Sequence, residues 1–172
     1  FKVQLAYAET GNSSATISVT TSCGVSYWNG ITGTTIFNHT VTLPTINPAI
    51  VVSSSQTRQT TEDGGTADIY FHLSKQPSAN VYVTAASNDT TEGVISGKRQ
   101  DGTTLVSGNN MVVFSTNDWA TDKGIQVTGV ADSLVDGNIT YSVGLSSTSA
   151  NTLWNGLSAS IDLVNKIGRA HV

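Results

Sequence analysis

Long apolar runs are missing from this 172-residue chain, and charge is thin on it. No stretch approaches the roughly 20 consecutive apolar residues of a membrane-spanning helix, so no membrane insertion is expected of these residues. Eight basic against twelve acidic residues give a formal net charge of −4. Phosphate recognition needs clustered Lys and Arg, none are clustered here, and nucleic acid is excluded as a partner. Cysteine occurs once, as Cys23. That rules out an intrachain disulfide and a cysteine-built metal site, leaving a small half-buried side chain or a bond to another part of a longer protein. Proline occurs three times, and no segment combines helical periodicity with helix caps. No signal peptide opens the chain, which starts at Phe1 rather than Met, so this absence says nothing of compartment.

Catalytic signatures are missing too. There is no G-x-S-x-G elbow, no phosphate-cradling G-x-x-x-x-G-K-[ST] and no H-E-x-x-H. His39 and His72 fall on the polar phases of strands and read as solvated imidazoles. The chain is therefore read as non-enzymatic, with no catalytic residue. Trp119 reads as packing, while Trp28 and Trp154 sit in turn-like segments where partial burial is the default and sugar stacking the alternative. Four N-x-S/T sequons, at Asn12, Asn38, Asn88 and Asn138, matter only in a eukaryotic secretory context.

What the chain has in abundance is Gly, Ser, Thr, Val and Asn, a mixture that favours short β-strands joined by polar turns. Apolar and polar residues alternate in Phe1–Tyr7, Ala15–Thr20 and Thr34–Leu43, with turn-forming residues between them, including Cys23 and Gly24. Too few to close a sandwich, these strands (1–43) read as the trailing part of an upstream β-domain. Pro44 and Pro48 stiffen the next segment, and 44–49 is the expected linker.

From Val51 the rhythm is regular. Strands are expected at Val51–Ser55, Ala67–Leu73 and Val81–Ser87, then at Val94–Gly97 and Met111–Ser115. Further strands follow at Ile125–Val130, at Ile139–Leu145 and at Leu157–Leu163. Acidic turns occupy Thr60–Thr66 and Asn88–Gly93, and Lys98–Asn110 reads as a polar loop. Between Val130 and Ile139 a turn carries Asp132 and Asp136, closed by Gly137. Strands at intervals of about 8 to 14 residues with turns between them describe an all-β sandwich or barrel. Seven or eight fit this module.

Three features carry a family resemblance: the E-x-G-G turn at Glu62, the F-x-x-x-x-W-x-x-x-K-x-I-x-V-T-G-V run from Phe114, and the D-x-x-x-D-G turn before T-Y-x-V. Over 50–165 the chain resembles the Calx-β-like repeat modules of large bacterial surface and secreted proteins. The resemblance implies an immunoglobulin-like antiparallel β-sandwich in a tandem array, with neighbouring repeats of the same chain as partners and an extracellular or cell-surface location. It also implies Ca²⁺ at one end of the sandwich, held by Glu62, Asp132 and Asp136, with Asp89 and Glu92 in the loop where the family places another acid. Ala131 and Ser133 depart from the consecutive acids of calcium-binding relatives.

Physical chemistry supports two readings of these acids. Ca²⁺ takes six to eight oxygens at roughly 2.3 to 2.6 Å, and acids from separate loops can converge where loops gather at a sandwich end. Asp, Asn and Gly are equally ordinary turn formers that bond their own backbone. The module is expected to be a structural and adhesion repeat; the alternative is an accessory polysaccharide-binding module of a secreted enzyme. Finally, Ile167 to Val172, IGRAHV, resembles the translation of a sequencing adapter. With Lys166, whose codon such a junction would share, 166–172 reads as a non-native tail, which removes Arg169 and His171 from any site and makes the chain a piece of a longer protein.

Overall fold

The computed structural model describes residues 17–26, 32–41, 46–54, 56–131 and 137–167. Two compact units, Phe1–Ile46 and Asn47–Val172, divide within the Pro44–Pro48 segment. In the first, β1 (Ile17–Ser26) and β2 (Thr32–Val41) pair antiparallel from Ile17 opposite Val41 to Ser26 opposite Thr32. β1 runs further than the sequence suggests, carrying Cys23 and Gly24 as strand residues opposite Thr35 and Thr34. A long partner strand supplies ladder bonds that outweigh the weak turn preference of a single Gly. The strand expected at Phe1–Tyr7 lies outside the described residues.

Among the described residues the second unit holds ten strands: β3 (Ile50–Val52), β4 (Gln59–Thr61), β5 (Thr66–Leu73), β6 (Val81–Ser87), β7 (Gly93–Arg99), β8 (Val106–Ser107), β9 (Met111–Phe114), β10 (Lys123–Gly129), β11 (Ile139–Ser149) and β12 (Ser158–Lys166). One sheet has the order β3-β5-β10-β7-β8, the other β4-β12-β11-β6-β9. Period-2 alternation sends one face of each central strand inward. Ala67, Ile69, Phe71 and Leu73 of β5 and Ile125 and Val127 of β10 meet Val81, Val83 and Ala85 of β6, with Val143, Leu145, Ile161 and Leu163 of β11 and β12. The chain is thus an all-β sandwich; among the described residues its helical content is a 3₁₀ turn at Thr152–Trp154. The order β3-β5-β10-β7 facing β12-β11-β6 is the A-B-E-D against G-F-C order of an immunoglobulin-like sandwich. β4, parallel to β12, and β9, beside β6, are additions to it.

β4 overlaps the start of what the sequence presents as an acidic turn at Thr60–Thr66, and β8 falls inside the expected Lys98–Asn110 loop. Two- or three-residue strands are too short to display a period.

The motif run from Phe114 is explained by packing. Lys123, 2% exposed, donates from Nζ to Asp118 Oδ2 at 2.7 Å and to the Val113 carbonyl, and lies 4.9 Å from the centre of the Phe114 ring. The outer margin of β9 is closed by a side chain acting as a surrogate strand. Gln100 donates its amide N–H to the Val113 carbonyl, and Val113 N–H donates back to Gln100 Oε1 at 2.9 Å.

Register fixes the direction of travel. β3 begins opposite Leu73, the end of β5, so the chain arrives at the pole formed by the 74–80, 115–122 and 150–157 connections. β12 ends at Lys166 beside Thr61, so it leaves at the opposite pole. The chain enters the sandwich at a proximal pole and departs from a distal one.

Candidate functional site

Backbone bonds sew the acid-bearing loops together at the distal pole. Glu62 N–H donates to Lys166 O at 3.0 Å, Gly129 N–H to Gly65 O at 3.0 Å, Val130 N–H to Glu92 O at 3.0 Å, and Gly93 N–H to Asp89 O at 3.1 Å. The turn at 62–65, the loop at 88–92 and the loop that leaves β10 at Val130 therefore meet around the end of β12. Two glycines permit the closeness. A Cβ on Gly129 would lie 2.3 Å from the Thr61 carbonyl oxygen, and one on Gly93 would lie 2.4 Å from the Tyr141 hydroxyl.

Beneath the loops is a buried polar knot. Asn165 is 1% exposed and faces inward in phase with Ile161 and Leu163. Its Nδ2 donates to Glu92 Oε2 at 3.1 Å and to Val130 O at 3.2 Å, while its Oδ1 accepts from Thr60 Oγ1 at 3.1 Å. The Thr60 and Tyr141 hydroxyls share a bond of 2.9 Å. Burial pushes the Tyr141 phenol up and the Glu92 carboxylate nearby adds to this, the Thr60 bond opposing both. One residue of the last strand thus touches β4, the 88–92 loop and the loop after β10.

The candidate acids separate into distinct kinds. Glu92 is 7% exposed, with a neutral amide as its side-chain partner. Asp89 turns back on its own loop: Oδ1 accepts from Thr91 Oγ1 at 2.6 Å and from Thr91 N–H at 3.0 Å, and these bonds hold its carboxyl below the usual range. That is the chemistry of a turn former. Glu62 is half-buried, its backbone tied to the departing strand. Asp132 and Asp136 lie outside the described residues, between Val130 and Ile139 in the sequence; Ile139 itself pairs opposite Asn165. Among the described residues no three of His, Cys, Asp and Glu come together as a metal-holding group.

Other expectations are corrected. His72 is not simply solvated, since its Nδ1 lies 2.9 Å from Asp122 Oδ1, the oxygen that also accepts from Ser53 Oγ at 2.8 Å. Burial raises the Asp122 carboxyl, but the His72 and Ser53 bonds outweigh it and leave it lowered. The acid sits between serine and imidazole, whereas serine activation needs the imidazole in the middle. Trp154, expected to be partly buried, is fully buried in its 3₁₀ turn, its carbonyl accepting from Ser147 Oγ at 2.6 Å. Trp119 packs against the core, as expected. Tyr70 lies on the polar phase of β5 in one sheet and Tyr82 on that of β6 in the other, so the two do not line one sugar-stacking strip. Trp28 and the side chain of His39 lie outside the described residues.

Sequence reasoning missed Thr60, Lys123 and Asn165. For Asn165 a signal existed, since an amide on the inward phase after Ile161 and Leu163 marks a core position that needs partners. A scan of the chain against protein-family models finds no match, and a search among curated proteins finds no similar sequence.

Proposed function

We propose that the 50–165 module is a non-catalytic structural and adhesion repeat of a large extracellular bacterial protein, of the Calx-β-like kind, stiffened by Ca²⁺ at its distal pole. The observation that carries this reading is the gathering of the acid-bearing loops at the pole where the chain departs. A cation there ties three loops to the last strand and rigidifies the junction with whatever follows. Glu92 supports the reading as well. It is 7% exposed and its Oε2 accepts from Asn165 Nδ2, so the 88–92 loop brings a carboxyl group to the strand around which the loops gather.

The test is thermal unfolding of the full chain in millimolar Ca²⁺ and in excess chelator. Ca²⁺ at a hundredfold its Kd should raise Tm by about 5 to 10 °C. That rise should vanish in an Asp132→Ala, Asp136→Ala double variant and shrink in Glu92→Gln. Coincident curves for the unsubstituted chain would make the acidic turns ordinary loop chemistry and leave a passive spacer.

A further inference from the structure

We infer that the module is a tension-bearing link in which force passes from the entering chain to the departing strand through the parallel β4–β12 pair of one sheet. The inference rests on reading the module as a structural repeat, and on strand geometry rather than on calcium. Tension applied between Asn47 and Ile167 pulls β3 toward the proximal pole and β12 toward the distal pole. β3 is three residues long and pairs with β5 through Ile50 opposite Leu73 to Val52 opposite Phe71. Once it slides, the load passes through the 53–58 connector to β4.

There the directions matter. β4 and β12 run parallel, with Gln59, Thr60 and Thr61 beside Val164, Asn165 and Lys166. β4 is drawn to one pole and β12 to the other, so the strands are sheared along their length and their bonds stretch together instead of opening in turn. Val164 N–H to Arg58 O and Glu62 N–H to Lys166 O, both 3.0 Å, bracket the pair. Both are backbone bonds, indifferent to the side chain at 166. Behind them lies the buried bond between Thr60 Oγ1 and Asn165 Oδ1, with Thr60 at 0% and Asn165 at 1% exposure. Water cannot readily replace a bond it does not reach, so the pair resists until it gives way as a unit. On its other side β12 is held by β11 through eight paired positions, Ser146–Ser158 to Ile139–Asn165, also loaded in shear.

Single-molecule pulling of the full chain tests this, with Cys23→Ser in the background and handles on introduced cysteines. Asn47→Cys with Ile167→Cys loads the β4–β12 pair in shear. Asp63→Cys with Ile167→Cys pulls the same two strands apart from one pole, opening bonds one at a time. The expected result is a rupture force severalfold higher in the first geometry, in chelator as in Ca²⁺. Equal forces, or a difference that disappears in chelator, would overturn the proposal. The chelator arm also separates it from the calcium reading, which can fail without touching this one. Two substitutions add a second readout. Asn165→Ala should lower the shear rupture force. Ser147→Ala removes bonds to the Trp154 and Leu157 carbonyls at the proximal pole, and should lower Tm while leaving that force unchanged. A drop in force that merely follows the loss of Tm in both variants would reduce the effect to global stability and also overturn it. If Asn165→Ala does not fold, the two pulling geometries still decide.

Discussion

Asn165 carries more of the distal pole than any charged group around it. Its amide donates to Glu92 and to the half-buried Val130 carbonyl and accepts from Thr60, the Glu92 and Thr60 bonds lying away from water. Asn165→Ala removes three bonds and leaves the buried Glu92 without its amide partner, and stability by denaturant titration should fall by about 2 to 3 kcal/mol. Tyr141, above its usual pKa by burial, predicts an alkaline weakness. The folded state holds the phenolic proton more tightly than the unfolded chain. This contribution is therefore intact below about pH 10 and is lost as pH rises through the raised value. Tyr141→Phe should remove that alkaline fall from the Tm-versus-pH profile. Little of this chemistry was legible in the sequence. Glu92 sits in NDTTEG, indistinguishable there from any polar turn, and only the fold turns it inward. Asn165 stood in plain view on an apolar phase, but its partners come from three distant segments.

At the scale of elements, legibility follows length. β5, β6 and β11 are long enough to show two or more full alternations, and their inward faces are those the pattern predicts. β4 and β8, of three and two residues, show none. β10 begins with Lys123 pointing inward, against the rule that lysine faces water. It is tolerated because Asp118, the Val113 carbonyl and the Phe114 ring receive the ammonium. β9 carries a further prediction. An open strand margin is a template for pairing with other chains, and here the Gln100 amide closes it at Val113. Gln100→Ala should expose that margin, and sedimentation should then find concentration-dependent self-association while the unsubstituted chain stays at its own mass.

For the whole molecule, the sandwich class was readable because turn residues punctuate alternating strands at regular spacing. The direction of travel was not, because it depends on which strands pair and in what register. That arrival and departure lie at opposite poles also sets a length. β11, with 11 residues, spans about 36 Å at 3.3 Å per residue. A folded module thus advances the chain by a few nanometres. The roughly 120 residues it contains, drawn out fully, reach on the order of 400 Å. The sandwich is therefore a reserve of slack about ten times its own height, held shut at β4 and β12 and released only when that lock opens.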